Sequence, residues 1–169
     1  MELSSGQKGA IAEAELAAAA LRLGVGVLRP VAEGVRYDLV FDIGTRLLRV
    51  QAKWACLHGD VVTAFLRTSR HTPTSGYVHT TYSAAEVDVC GLYCDALNSC
   101  FLLPINEIAG AASVRLRVAR ARNNRRIGVR MAQDYDLAKM LDDLGAIAQL
   151  GERRAGSAKV AGSSPASST

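Results

Sequence analysis

Several things that a chain of 169 residues can carry are missing from this one. No apolar run reaches the length of a membrane-crossing helix, and the longest candidate, Ala17 to Val27, is broken by Arg22. The N-terminus also lacks the charged-then-apolar layout of a secretion signal. A cytoplasmic protein with no membrane partner is expected. The four cysteines, Cys56, Cys90, Cys94 and Cys100, form no Cys-x-x-Cys pair, which argues against structural zinc and for small buried side chains. His58, His71 and His79 have no partner motif, so a Ser-His-Asp or Cys-His site finds no support. Acids are absent between Glu107 and Asp134, where Arg115, Arg117, Arg120, Arg122, Arg125, Arg126 and Arg130 occur with Asn123 and Asn124. With a sequence pI near 9.0, that stretch suits an anionic partner, although a solvated basic face is the plain alternative.

What is present points to one small domain. A hydrophobic share of 49% supports a single core, and the length is too short for two ordinary domains. The most informative stretch is Tyr37-Asp38-Leu39-Val40-Phe41-Asp42, a turn at Ile43-Gly44-Thr45, then Arg46 to Trp54. Leu48, Val50, Ala52 and Trp54 fall on one side of the second run, Arg49, Gln51 and Lys53 on the other. This predicts a hairpin with one apolar face. Paired around Gly44, its strands bring Asp38, Gln51 and Lys53 to one polar patch. A wet strand face accounts for such a pattern equally simply.

A carboxylate, an amide and an ammonium in one place are what metal-assisted phosphodiester cleavage uses. The anionic ester needs a cation to neutralise developing charge, oxygen ligands to hold that cation, and a positive group beside the nucleophile. Asp38 and Gln51 can offer oxygens, and Lys53 the charge. Magnesium accepts such a donor set together with water and phosphate oxygens, and manganese can substitute for it.

Beyond the hairpin, Lys8-Gly9-Ala10-Ile11-Ala12-Glu13, Gly24, Arg29-Pro30, Tyr37-Asp38-Leu39-Val40 and Val50-Gln51-Ala52-Lys53 together resemble the PD-(D/E)XK nuclease superfamily. Within it they are similar to endonucleases encoded in group I introns, where Gln replaces the usual acid of the third motif, as in Gln51-Ala52-Lys53. Ser83 to Asp88, Leu92 to Asp95, Leu103-Pro104-Ile105 and the segment from Arg122 to Ala132 resemble later parts of that family. The likeness spans roughly Gln7 to Asp136. Where the superfamily has Pro-Asp, this chain has Tyr37-Asp38, which keeps the carboxylate.

The resemblance implies a restriction-endonuclease-like core, an α/β (α+β) fold with a central mixed β-sheet flanked by helices. It implies a metal-dependent, homing-type DNA endonuclease with Glu13, Asp38, Gln51 and Lys53 as catalytic residues and Asp38 and Gln51 as metal ligands. Beside such a core, Arg120, Arg122, Asn123, Asn124, Arg125, Arg126 and Arg130 are expected to contact double-stranded DNA, through phosphates and base edges. Helical spacing puts Ala10, Glu13, Ala17 and Ala20 on one stripe of small residues, so Glu13 should point at Lys53 or the metal; Glu15 is the alternative. Cutting both strands from one site per chain calls for a homodimer or higher assembly. A structure-specific nuclease, and a binding module of the same fold without catalysis, remain open.

The elements expected are a helix from about Ser5 to Leu23 and strands near Val25–Leu28, Tyr37–Ile43, Leu47–Trp54 and Val61–Thr68. Ser69 to Ser75 is expected to be a loop, and Ser83-x-x-Glu86 to cap a short helix. Val87–Cys94 and Cys100–Pro104 should pair around Asp95–Asn98. Residues 1–144 form the domain, while 145–169 turn to Gly, Ala and Ser and read as a flexible tail. The tail's wording suggests translation into a neighbouring tRNA gene. Gly162-Ser163-Ser164-Pro165 can be read from GGU-UCG-AGU-CCN, like a T-arm, and Ala146 to Arg153 from a 5′ half and D-arm. The coding DNA should therefore fold as a cloverleaf over codons 145 to 169, and deleting those residues should leave the melting temperature unchanged. A marked drop in melting temperature would show that the tail packs on the domain.

Overall fold

The computed structural model describes residues 2–32, 34–44, 46–72, 76–119 and 129–145. Helix α1, Ser5–Arg22, begins in a reciprocal cap, with the Ser4 hydroxyl accepting from the Gln7 N–H and the Gln7 amide oxygen accepting from the Ser4 N–H. It ends at Gly24, whose φ of 83° suits a residue without a Cβ. The buried stripe is Ala12, Leu16 and Ala20, whereas Ala10 is exposed, so the helix is rotated from the stripe expected through Ala10, Glu13 and Ala17. The large apolar side chain at Leu16 decides this, because its burial outweighs that of Ala10.

Strands β1 (Gly26–Leu28), β2 (Leu39–Asp42), β3 (Leu47–His58) and β4 (Val61–Phe65) run antiparallel in sequence order, and β9 (Ser113–Arg117) pairs with β4. On the other side of β3 lie β7 (Val89–Cys94), parallel to it, and β8 (Ser99–Pro104), antiparallel to β7. The sheet is therefore mixed, with seven strands. Val50 pairs with both Leu39 and Val89, and Ala55 with both Ala64 and Cys94. Hence β2 and β4 share the edge of β3 opposite β7. Between them, residues 51–54 face a gap.

Both faces of the sheet are covered. Leu48, Val50 and Ala52 pack with Leu16 and Ala20 of α1 and with Leu137 and Leu141 of α3 (Leu137–Asp143). Gly91, beside Ala52 in the parallel register, has no room for a Cβ, which would stand 2.9 Å from the Leu16 side chain. The opposite core gathers Ala55, Val62, Tyr82, Cys90, Leu92, Leu103, Leu116 and, from the short helix α2 (Ile105–Ile108), Ile105 and Ile108. β7 is buried at every position, as its apolar run suggested.

Three further expectations change. β3 runs four residues past Trp54, and its wet side becomes a second core at Ala55, so the hairpin does not keep one apolar face. Part of the predicted loop is a strand: β5 (Thr68–Thr72) pairs with β6 (Gly76–Thr80) in a separate two-stranded ribbon. Ladder hydrogen bonds between polar residues form it without the apolar alternation on which the expectation rested. Ser83 to Glu86 makes one turn and no helix: the Glu86 carboxylate accepts from Ser83, but Asp88 is already fixed to β3 by Arg49. Gly145, at φ 77°, closes α3, while the remainder of the expected tail lies outside the described residues. No described helix is long and apolar enough to cross a membrane.

Candidate active site

The gap in the β3 ladder leaves a backbone donor without a strand opposite it. The Ala52 N–H instead meets the Asp38 carboxylate, donating to Oδ2 at 2.8 Å. Asp38 sits one residue before β2, its own N–H bonded to the Val50 carbonyl at 2.9 Å, so the last ladder bond aims the side chain into the gap. The Gln51 side-chain amide also donates to Asp38 Oδ2. Gln51 is 7% exposed and is the buried polar side chain of the described core. Asp38 Oδ1 has no donor among the described residues.

Burial pushes the Asp38 carboxyl above the ordinary carboxylate range, and the Ala52 N–H, Lys53 and Gln51 only partly oppose it. Glu13 comes from α1 on the neighbouring side. Its carboxyl is also raised, first by desolvation and then by the charge of Asp38, against an ion pair with Arg29 at 3.1 Å. Two carboxylates thus sit near each other with less solvent than they need. Lys53 adds its charge to the same neighbourhood, and its ammonium lies 5.2 Å from the centre of the Tyr82 ring. The sequence-derived quartet Glu13, Asp38, Gln51 and Lys53 is brought to one place.

Other expectations fall differently. Glu15 lines a separate cavity of about 320 Å³ with Arg22, Tyr93, Cys100 and Asp136, and none of the quartet borders it. Glu13, not Glu15, is the helix carboxylate that feels the charge of Asp38. The Arg130 guanidinium donates to the Glu107 carbonyl at 2.8 Å, tying the chain after the basic stretch to α2. Arg120, Arg122, Asn123, Asn124, Arg125 and Arg126 lie outside the described residues. Among the cysteines, Cys90 is fully buried beside Gln51, and burial pushes its thiol up to about 12. Among the described residues, no three His, Cys, Asp or Glu side chains cluster as a metal cage.

Arg36 and Tyr82 escaped the sequence reading, which took Cys90 only as a small buried side chain and not as a neighbour of the site. Arg36 pairs with Glu86 at 3.1 Å and lies over the Tyr82 ring, and Cys90 reaches the site only through parallel pairing across 39 residues. No local pattern signals such neighbours.

A family model described as PD-(D/E)XK endonuclease matches residues 3–138. The chain belongs to the PD-(D/E)XK endonuclease family. The fold is correspondingly restriction-endonuclease-like. A solved bacterial homing endonuclease, I-Ssp6803I, is similar over 87% of this chain and 98% of its own, at 26% identity and a TM-score of 0.66. No curated protein matches the chain.

Because the folded state raises both carboxyls, their contribution to stability is complete below the unfolded values and is lost as pH rises through the folded ones. Asp38→Asn removes one such titration while keeping an acceptor for Ala52. Its melting temperature relative to the parent should climb from pH 4 toward pH 7. A difference that falls with rising pH would mean that the donors around Asp38 outweigh its burial.

Proposed function

We propose that this endonuclease hydrolyses phosphodiester bonds in double-stranded DNA with magnesium, and that it is of the homing type. The observation that carries the reading is the desolvated Asp38 carboxylate at the β3 gap, flanked by Glu13, Gln51 and Lys53. The homing assignment is supported by similarity extending over nearly the whole of I-Ssp6803I.

The residues present fit a hard divalent cation. Asp38 Oδ1 is open, and because the Gln51 nitrogen is committed to Asp38, the amide oxygen is the end left for a ligand. Asp38 and Gln51 would hold the ion, with water and the scissile phosphate completing the oxygen set. Bound there, it would neutralise phosphate charge and lower the pKa of a bound water. The rest is the work of the chain. Glu13, close enough to feel the charge of Asp38, adds a second anionic group, and Arg29 offsets it when the site is empty. Lys53 places positive charge where negative charge develops on the attacked phosphate. Ala52 holds Asp38 in position, so little reorganisation is needed at the moment of reaction.

A duplex has two antiparallel strands and each chain offers one such site, so a homodimer or higher homo-oligomer is part of the proposal. The basic stretch from Arg120 to Arg126 is proposed to contact the DNA. The direct test is incubation with magnesium and the protein's own flanking genomic DNA, with any intron removed. Site-limited double-strand cleavage supports the homing reading, cleavage confined to junctions supports a structure-specific nuclease, and binding without cleavage leaves a catalytically inactive module.

Lys53→Ala should lower cleavage by about a hundredfold or more, the usual loss for one preorganised charge, with DNA affinity nearly intact. Asp38→Asn and Gln51→Leu should lose metal-dependent cleavage, and Gln51→Glu should retain or alter it. Cleavage at the parent rate by both Gln51→Leu and Lys53→Ala would refute the site.

A further inference from the structure

We propose that Tyr82 is a positioning residue for Lys53, its ring face holding the ammonium over the cleavage site by a cation–π contact. The proposal rests on the endonuclease reading above. Lys53 makes no ion pair within 4 Å among the described residues, yet its four-carbon stem is intrinsically mobile. Its Nζ lies 5.2 Å from the Tyr82 ring centre, within the roughly 6 Å over which an aromatic face attracts a cation.

Tyr82 is built into the molecule at this point. It is 4% exposed and packs in the core that contains Cys90 and Leu92. Its hydroxyl makes no hydrogen bond of full geometry, although the Lys53 ammonium lies near enough to oppose the rise that burial imposes on the phenol, so the ammonium meets the ring at both face and hydroxyl. The neighbouring chain anchors the ring. Arg36 lies 4.9 Å from the same ring centre, donates to the Thr81 carbonyl at 3.0 Å and pairs with Glu86 at 3.1 Å. Arg49 of β3 clasps Asp88 and the carbonyls of Ala84 and Ala85, fixing the turn that follows Tyr82. Glu86 offsets the Arg36 charge, so two cations near one ring do not drive Lys53 away.

Chemistry favours an aromatic partner here. A carboxylate against Lys53 would cancel its charge and occupy its N–H groups. A ring face orients the ammonium and leaves charge and donors available for a phosphate. The consequence is an effect on the chemical step that exceeds any effect on DNA binding.

The test is single-turnover cleavage of saturating duplex DNA with magnesium by the full chain carrying Tyr82→Phe, then the mono-, di- and trifluorinated phenylalanines at that position. These rings nearly share one shape while their quadrupole weakens stepwise, so folding is kept. Cleavage should fall progressively, by about tenfold from Tyr82→Phe to the trifluorinated ring, with DNA affinity constant. A flat series, or a loss that appears only in affinity, overturns the proposal. The ε-methylene protons of Lys53 give a readout independent of activity: a ring-current upfield shift in the parent supports the contact, and ordinary positions overturn it. A parent that shows the shift but never cleaves DNA supports the contact and counts against the endonuclease reading alone.

Discussion

One hydrogen bond, from the Ala52 N–H to the Asp38 carboxylate, joins the backbone logic of this sheet to its chemistry. β3 pairs with β2 through Val50 and with β4 from Ala55, and the residues between have no strand on that edge. A buried donor left unpaired there would cost about 1–3 kcal/mol. A carboxylate satisfies it more strongly than a neutral acceptor. The same arrangement takes Asp38 out of water, raises its proton affinity, and leaves Oδ1 without a donor among the described residues. One side chain thus meets the structural need and, in the proposed function, holds the cation.

The second carboxylate depends on how closely α1 approaches the sheet. Ala52 and Gly91 stand side by side where Leu16 packs, and a Cβ on Gly91 would push into that leucine. Glu13 is one helical turn before Leu16, so seating Leu16 in that notch delivers Glu13 to the rim of the site. Small residues in β3 and β7 thus set the distance between the anionic groups, and Arg29 offsets their mutual repulsion.

Much of this was legible because it is local. The alternation of Leu48, Val50 and Ala52 against Arg49, Gln51 and Lys53 gave the strand and its faces, and the helix expected from about Ser5 starts there. What escaped depends on contacts distant in sequence. Parallel pairing of β3 with β7 buries Gln51 beside Cys90, and a polar face that looked wet continues into a second core at Ala55. The β5–β6 ribbon lacks apolar alternation, so polar composition read as loop. Tyr82 is 29 residues from the lysine whose ammonium it faces, and the helix buries Leu16 in preference to the small stripe through Ala10 and Ala17, because the sheet offers a notch for the larger side chain.

The central claim is that the β3 gap is a cation site built around Asp38. Amide NMR of the DNA-free protein during titration with manganese tests it directly, because a bound paramagnetic ion broadens nearby signals first. The account predicts early, saturable broadening of Asp38, Gln51, Ala52 and Lys53, abolished by Asp38→Asn. Broadening that begins elsewhere, for instance at Asp142 and Asp143, and survives Asp38→Asn would contradict it.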